Sequence, residues 1–358
     1  MKHFYPLTVN QLITETRDTV SIAFDLPEEL AAKFHYQQGQ YLTLRTQIEG
    51  QEVRRAYSIC ESVGQQKLRV AVKQVADGQF STWANQSLSV GQQIDVMPPQ
   101  GHFTSQLDPN HQGEYLLIAA GSGITPIMSI AKSMLETEAT SKVTLVYGNR
   151  ATSSVIFREQ LEDLKNTYMQ RLNVIYVMSR EQQDIDLFNG RINGQKIDQL
   201  LEQWIHPDRL SECFICGPED MSKDCQQALI KAGIKADKVH LELFGTATAG
   251  QAKRINTSKS SNKGANVSEI SIRADGHTRT FELPHNSLSI LEAGLAEGAD
   301  LPWACKAGVC STCKCKVLEG EVEMDTNHAL EDYEIKDGYV LSCQSYPVSA
   351  KVVLDYDV

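Results

Sequence analysis

Residues 305–315 read CKAGVCSTCKC and contain four of the nine cysteines in the chain. Cys305, Cys310 and Cys313 are spaced C-x4-C-x2-C, and Cys343 follows after 29 intervening residues. Small residues fill the loop, so backbone N–H groups can approach the sulfurs. A zinc site is the alternative, but zinc ribbons usually repeat C-x2-C pairs at both ends, which this spacing does not. The pattern therefore favours an iron–sulfur cluster. Cys315 falls outside the spacing and is interpreted as a structural thiol.

The spacing of the four cysteines resembles that of plant-type two-iron ferredoxins. This resemblance implies that four thiolates bind a 2Fe-2S cluster, namely those of Cys305, Cys310, Cys313 and Cys343. It also implies an α+β domain of the β-grasp type at residues 268–358. The sequence EISIRADGHTRTFEL at 269–283 predicts a hairpin that turns at Asp275-Gly276. Leu288, Leu291 and Leu295 predict an amphipathic helix after it.

The segment that precedes this domain has a different composition from the rest of the chain. Residues 246–267 are rich in Ser, Thr, Asn, Ala and Gly, carry four basic residues and no acidic one, and contain no aromatic residue. Such a segment can bury little apolar surface, so we predict a flexible linker. Residues 268–358 that follow it carry 7 basic and 16 acidic residues.

The first part of the chain has the pattern of antiparallel strands. Val20, Ile22 and Phe24 alternate with polar partners, as do Leu68, Val70 and Val72, and glycine-containing turns separate the runs. This alternation with a period of two predicts an antiparallel β-barrel over residues 1–106.

From about residue 115 the pattern changes to buried strands that alternate with helical segments. The apolar runs are EYLLIAA, KVTLVYG, RLNVIYVM, ECFICG and VHLELF. A helix between two of them is predicted to place Phe157, Leu161 and Leu164 on one face. Such alternation predicts an α/β domain with a parallel sheet over residues 112–245.

Arg55-Ala56-Tyr57-Ser58 follows a strand-like run in the predicted barrel and reads R-x-Y-S. An arginine can pair with a phosphate, a tyrosine can cover a ring system, and a serine hydroxyl can approach a reacting nitrogen. The motif resembles the flavin signature of the ferredoxin–NADP reductase superfamily. Gly78 and Ser81, before a helix predicted at 82–86, match the G-x-x-S that this family places on the flavin pyrophosphate. The resemblance implies FAD, with FMN as the alternative.

The sequence GSGITP at 121–126 lies between a predicted strand and a predicted helix. Gly121 and Gly123 allow the backbone to approach a pyrophosphate, and we expect Thr125 to be the N-cap and Pro126 the first helical residue. G-x-G-x-T-P resembles the nucleotide loop of the same superfamily, whose members bind NAD(P)H there.

Further residues enter the predicted site through this resemblance. Cys216-Gly217-Pro218 is similar to the C-G-P that lies beside the nicotinamide, where the cysteine flanks the hydride path and is not a nucleophile. Glu242 and Phe244 resemble residues that face the flavin. Ser58, Cys216 and Glu242 are therefore the candidate catalytic residues.

The choice of nicotinamide depends on cations near the adenosine end. Met178-Ser179-Arg180 is similar to a segment of plastid-type reductases in which Ser179 and Arg180 would hold the 2′-phosphate of NADP. Arg150, after the run YGN, is another cation at this end. We predict NADPH, with NADH as the alternative.

These three predicted sites imply an order of electron transfer. A nicotinamide gives up two electrons as hydride and the cluster accepts one at a time, so the flavin must stand between them. CKAGVCSTCKCKVLEGEV, FICGP and PPQGHF resemble the family of reductase components of phenylacetyl-CoA 1,2-epoxidases. That resemblance implies a di-iron oxygenase as partner. Reductases of ring-hydroxylating dioxygenases or acyl desaturases remain alternatives, and an iron–sulfur redox sensor is a remote one.

The composition excludes some other classes. The chain has 358 residues, 41% of them hydrophobic, and a net charge of −11 without a basic block, which argues against nucleic-acid binding. The start, MKHFYPLTVN, has no apolar core of a signal peptide, and no apolar run is long enough to span a membrane. We therefore expect a cytoplasmic protein.

Overall fold

The computed structural model describes residues 3–244 and 267–358, which form two compact units. One unit contains the N-terminal barrel and the parallel sheet, and the other contains the C-terminal module. The predicted linker at 246–267 lies outside the described residues except for Val267. The boundaries between the domains stay a prediction.

An antiparallel barrel is built from the first six strands. They are Tyr5–Thr16 (β1), Thr19–Phe24 (β2), Tyr41–Ile48 (β3), Gln51–Ser58 (β4), Leu68–Lys73 (β5) and Gln93–Gln100 (β6), in the order β4-β3-β6-β1-β2-β5. A bridge between Ile59 and Val70 joins the end of β4 to β5 and closes the sheet. The alternating apolar residues fill the interior, where Ile22 and Val70 are fully buried. Helix α1, Gln79–Gln86, begins three residues earlier than predicted.

A five-stranded parallel sheet follows. Its strands are Glu114–Ala120 (β7), Lys142–Asn149 (β8), Leu172–Met178 (β9), Leu210–Gly217 (β10) and Val239–Leu243 (β11), in the order β11-β10-β7-β8-β9. Its helices are Ile124–Thr137 (α2), Arg158–Thr167 (α3), Gly194–Gln203 (α4) and Glu219–Lys231 (α5). The strand order reverses between β7 and β10, which makes this position the switch point of the sheet. Open α/β sheets bind ligands at the carboxyl ends of the strands that flank such a switch point.

Helices α2 and α3 of this α/β domain begin at other residues than predicted. A 3-10 turn at Gly121–Gly123 runs directly into α2, so Thr125 is not the N-cap and Pro126 is not the first helical residue. The Thr125 hydroxyl instead donates to the Ser122 carbonyl at 3.0 Å. Phe157 is buried as expected but precedes α3, with a left-handed φ of 60°.

The C-terminal module is an α+β fold. Its strands are Val267–Ala274 (β12), His277–Pro284 (β13), Lys314–Glu319 (β14), Val322–Met324 (β15), Tyr339–Leu341 (β16), Ser345–Pro347 (β17) and Lys351–Asp355 (β18). Its helices are Ile290–Ala296 (α6) and Asp332–Lys336 (α7). The main sheet has the order β13-β12-β18-β14-β16, and β15 pairs with β17.

The predicted hairpin of this module is confirmed, and its helix is shorter than predicted. Asp275 and Gly276 have φ of 51° and 71°, as a tight turn between β12 and β13 requires. Leu288 lies before α6 and is exposed, because Ser289 caps the helix by accepting a hydrogen bond from the Glu292 N–H at 3.3 Å.

Within residues 3–244 and 267–358, no helix combines the length and the apolar character that a membrane span needs.

Candidate functional site

The four predicted cluster ligands approach one another as two pairs of thiols. The sulfurs of Cys305 and Cys310 lie 3.0 Å apart, and the thiol of Cys313 contacts that of Cys343. Cys305 is half-buried and the other three cysteines are buried. Cys315 lies on β14 with its buried thiol 4.0 Å from the Val340 carbonyl, which agrees with a structural role.

The cysteine loop has the backbone that close wrapping requires. Lys306 and Gly308 have φ of 53° and 73°. A Cβ on Gly308 would lie 2.7 Å from the Thr326 carbonyl oxygen, so only glycine fits. The Ala307 N–H donates to the Cys305 sulfur at 3.3 Å, which is the kind of hydrogen bond that tunes cluster potentials.

Two pairs of thiols fit a two-iron cluster, in which each iron takes two thiolates. The hydrogen bond between Cys305 and Cys310 lowers the pKa of Cys310 and raises that of Cys305, so Cys310 is the member of this pair that loses its proton first. The residues therefore fit a 2Fe-2S cluster better than zinc.

The flavin candidates lie on β4 and at the start of α1. Arg55 and Tyr57 are half-buried, and the Tyr57 ring packs 5.4 Å from that of Phe80. The Ser81 hydroxyl accepts from the Val75 N–H and donates to the Gly78 carbonyl, each at 3.2 Å. This locks the turn that begins α1, where a Cβ on Gly78 would lie 2.3 Å from the Ser81 oxygen.

Two of the candidate catalytic residues, Ser58 and Glu242, contact each other. The buried Ser58 hydroxyl lies 3.4 Å from Glu242 Oε2 and donates to it. Burial raises the pKa of Glu242 to about 8, against a smaller opposing effect of the hydrogen bond from Ser58. A carboxyl group with this pKa holds its proton at neutral pH.

Cys216 completes this group from the neighbouring strand. It is fully buried on β10 and is paired in register with Glu242 on β11. Burial raises the pKa of its thiol, and the nearby Glu242 charge adds to this effect. An uncharged thiol is a poor nucleophile. The place of Cys216 beside the reacting groups stays a prediction.

The 3-10 turn at Gly121–Gly123, called the nucleotide turn below, lies against Cys216-Gly217-Pro218 at the switch point between β7 and β10. A Cβ on Gly123 would lie 2.1 Å from the Cys216 carbonyl oxygen, and a Cβ on Gly217 would lie 3.2 Å from the Ala120 side chain. The structure therefore brings together residues that are about 90 positions apart in sequence, as expected for neighbouring parallel strands. Pro218 is the N-cap of α5.

Two further residues of the predicted nucleotide loop, Thr125 and Pro126, are buried. They lie inside the first turn of α2, so they shape the loop without presenting side chains to solvent. The Tyr147 hydroxyl, which the sequence did not single out, donates to the Gly121 carbonyl at 3.0 Å. Phe244 follows β11 and is 41% exposed.

The three adenosine-end candidates lie side by side after β8 and β9. The Ser179 N–H donates to the Asn149 carbonyl at 2.9 Å, and the Arg180 N–H donates to the Arg150 carbonyl at 2.8 Å. Ser179, Arg180 and Arg150 are all exposed. The next residue, Glu181, was missed by the sequence reasoning. It accepts hydrogen bonds from the Thr152 hydroxyl and from the Thr152 N–H, which together lower its pKa.

A cavity of about 410 Å³ lies at the opposite, amino-terminal edge of the parallel sheet. Its lining includes His111, Tyr115, Glu212 and Lys238. None of the predicted site residues lines it.

Comparison with known proteins defines the class first. The chain matches three family profiles: Oxidoreductase FAD-binding domain at residues 6–105, Oxidoreductase NAD-binding domain at 117–227, and 2Fe-2S iron-sulfur cluster binding domain at 272–348. It is thus an oxidoreductase that combines a flavin, a nicotinamide and an iron–sulfur domain. The solved structure of phthalate dioxygenase reductase shares this fold, with a TM-score of 0.60, 23% identity and 98% of each chain covered.

Curated relatives then define the family. The chain is 44% identical to a subunit of the 1,2-phenylacetyl-CoA epoxidase of Escherichia coli, over 100% of this chain and 99% of the relative. It is 35% identical to the ferredoxin reductase component of 3-ketosteroid-9-alpha-monooxygenase of Rhodococcus rhodochrous, over 98% and 96% of the two chains. The chain belongs to the family of this epoxidase subunit, among the reductase components of oxygenases.

The raised pKa of Glu242 makes folding stability depend on pH. The native state keeps a proton on Glu242 up to a pH of about 8, whereas the unfolded chain loses it near 4.5. Stability from this group is therefore full below the unfolded pKa and is lost as pH rises towards 8, at most about 1.4 kcal/mol per pH unit. We expect the free energy of unfolding of wild type to fall relative to that of Glu242→Gln between pH 5 and 8, measured by denaturant titration.

The matched control is Glu202→Gln, which removes an exposed carboxylate from helix α4 of the same α/β domain. Its free energy of unfolding should follow that of wild type at every pH. Parallel curves for wild type and Glu242→Gln would contradict the assignment of a raised pKa.

Proposed function

We propose that the chain is the reductase component of a phenylacetyl-CoA 1,2-epoxidase and passes electrons from NADPH through FAD and a 2Fe-2S cluster to a di-iron oxygenase. The observation that carries the proposal is the 44% identity to the Escherichia coli epoxidase subunit over the full length of both chains. The two thiol pairs and the contact between Ser58 and Glu242 support it independently. A cytoplasmic location is part of the proposal.

When bound, FAD accepts hydride from the nicotinamide and supplies single electrons to the cluster. The chain's own residues would hold these groups in place. Arg55 would pair with a flavin phosphate, Tyr57 would cover the ring system, and the N-terminus of α1 at Gly78 and Ser81 would receive the pyrophosphate. Phe244, partly exposed after β11, would face the ring system.

The residues at the centre would control protons and charge. Glu242 holds a proton at neutral pH and Ser58 donates a hydrogen bond to its Oε2, so this pair can relay a proton to or from a neighbouring group. The Cys216 thiol stays protonated beside them, which avoids a negative charge near the path of the hydride.

The nucleotide would be held at the carboxyl ends of the parallel strands. The turn at Gly121 and Gly123 presents backbone N–H groups, and the N-terminus of α2 adds a favourable dipole for the pyrophosphate. Gly217 and Pro218 lie next to this turn. Arg150, Ser179 and Arg180 would contact the 2′-phosphate of NADPH.

The proposed order of electron transfer predicts that the cluster can be removed without stopping flavin reduction. We expect Cys310→Ser to abolish NADPH-dependent reduction of cytochrome c, because a single-electron carrier is lost. Reduction of ferricyanide at the flavin should persist. Both rates are measured on purified protein, together with iron and acid-labile sulfide per chain.

Cys315→Ala is the matched control in this experiment. It removes a buried thiol of the same module that lies outside the predicted ligand set, and it should keep the cluster and both activities at a cost of about 1 kcal/mol in stability. Loss of ferricyanide reduction in a folded, flavin-loaded Cys310→Ser protein would contradict the proposed order.

The preference for NADPH predicts a selective effect of Arg180. Replacing Arg180 by glutamine removes a charge-assisted contact to the 2′-phosphate, so the dissociation constant of NADPH should rise about tenfold or more while that of NADH stays the same. Arg191→Gln, which removes another exposed arginine, is the control. Equal weakening of both nucleotides would refute the assignment of Arg180.

The identity of the acceptor is tested by reconstitution. The chain is mixed with the oxygenase components of 1,2-phenylacetyl-CoA epoxidase, or in parallel with the oxygenase of 3-ketosteroid-9-alpha-monooxygenase, and NADPH-dependent product is measured. We expect product with the first only. The excess of acidic residues after 267 favours a basic docking surface, so the rate should fall as salt rises from about 0.05 M to about 0.5 M.

If product forms with the ketosteroid oxygenase and not with the epoxidase components, the proposed acceptor is wrong, and a ring-hydroxylating oxygenase of the ketosteroid type takes its place. A rate that does not depend on salt would remove the inference about charge but leave the acceptor in place.

A further inference from the structure

Helix α2 is buried on more than the face that packs against the parallel sheet. Every residue from Ile124 to Leu135 is buried, including Lys132. A helix in an α/β layer ordinarily leaves one polar face in water. Here that face is covered by barrel residues that follow β4, so α2 is packed between the sheet and the barrel.

Three polar contacts hold this second face of α2. The Ser129 hydroxyl donates to the Glu61 carbonyl at 2.7 Å, the Lys132 ammonium donates to Glu61 Oε2 at 2.8 Å, and the Val63 N–H donates to Ser133 Oγ at 3.1 Å. The three helix residues have i, i+3 and i+4 spacing and so lie on one face. All three bind one short segment of the barrel.

The central contact is a buried ion pair. The side chains of Glu61 and Lys132 are 5% and 10% exposed. Glu61 also lies 3.3 Å from an Arg69 nitrogen, and Lys132 lies 3.2 Å from the side-chain carbonyl of Gln160 on α3. Glu15 is a second carboxylate that interacts with Arg69, and burial raises the pKa of Glu15. Two acidic and two basic side chains thus lie together at this contact, with Glu61 and Lys132 buried and Glu15 and Arg69 half-buried.

Each partner of the pair belongs to one half of the candidate site. Glu61 is three residues beyond Ser58, on the flavin side, and Lys132 lies on the helix that starts directly after Gly123, on the nucleotide side. We propose that the Glu61–Lys132 ion pair is a positioning device that fixes the nucleotide turn relative to the flavin half of the site. This inference rests on the proposed function for the identity of the two halves.

Apolar packing alone would not fix this geometry, because hydrophobic contacts have little directional preference. A helix rises 1.5 Å per residue, so a slide of α2 by one residue would break a 2.8 Å ion pair while keeping most apolar area buried. A displacement of about 1 Å between reacting groups can slow a reaction about 100-fold. The ion pair is therefore suited to a requirement that burial of apolar side chains does not meet.

The test uses Lys132→Met, Glu61→Gln and the double variant in the full-length, FAD- and cluster-loaded protein. Each is mixed anaerobically with NADPH in a stopped-flow instrument, and the limiting rate of flavin bleaching and the dissociation constant of NADPH are obtained from the concentration dependence. We expect the limiting rate to fall about 10- to 100-fold in all three proteins with little change in the dissociation constant.

The double variant separates positioning from simple stabilisation. Glu61→Gln leaves the buried Lys132 ammonium without its carboxylate, and Lys132→Met leaves Glu61 with Arg69 as its remaining cation. Each single replacement should therefore lower stability, whereas the double replacement removes both members of the pair and should recover most of the loss. A positioning role predicts that stability returns in Glu61→Gln/Lys132→Met while the limiting rate stays low. If the rate recovers together with stability, or if folded Lys132→Met reduces its flavin at the wild-type rate, the proposal is overturned.

Lys238→Met is the matched control. It breaks a Lys–Glu pair of 3.4 Å with Glu212 in the same domain, at the edge of the sheet away from the site, and should leave the limiting rate unchanged. Failure of the proposed function would look different: wild type itself would then show no flavin bleaching with NADPH or NADH.

Discussion

The close approach of the nucleotide turn to the end of β10 is the constraint on which the site depends. Gly123 lies so near the Cys216 carbonyl that a methyl group would overlap it. This contact is possible because β7 and β10 are neighbours in the sheet although a long stretch of chain separates them. On its other side β10 pairs with β11, which places Cys216 beside Glu242, and Glu242 in turn contacts Ser58 of the barrel.

The sequence predicts most of this architecture because the relevant signals are local. The run EYLLIAA coincides with β7, and the Asp275-Gly276 turn joins β12 to β13, since strand patterns and tight turns depend on adjacent residues. The helix starts are predicted less well. Thr125 is a good N-cap by type, yet the preceding glycines continue a 3-10 turn into α2, and tertiary contact with β10 decides where that helix begins.

Contacts between distant segments could not be predicted in the same way. Nothing in the residues around Glu61 or Lys132 marks them as partners, because a lysine on a helix is ordinarily a solvated charge and a glutamate after a strand is ordinarily part of a turn. Only the packing of α2 between two layers turns them into a buried pair. The cysteines are the opposite case: their spacing identifies them, and the fold adds that they meet as two pairs.

The C-terminal sheet has a consequence for how the protein matures. Strand β12 pairs in parallel with the central strand β18, so Glu269 lies opposite Lys351 across a separation of more than 80 positions. Such long-range pairing is slow to form and cannot begin until the distal strand has been synthesised. Cys343 is brought to Cys313 by the antiparallel pairing of β14 with β16, which places Leu341 opposite Lys314. Assembly of the inorganic centre therefore requires that this edge of the sheet has already formed.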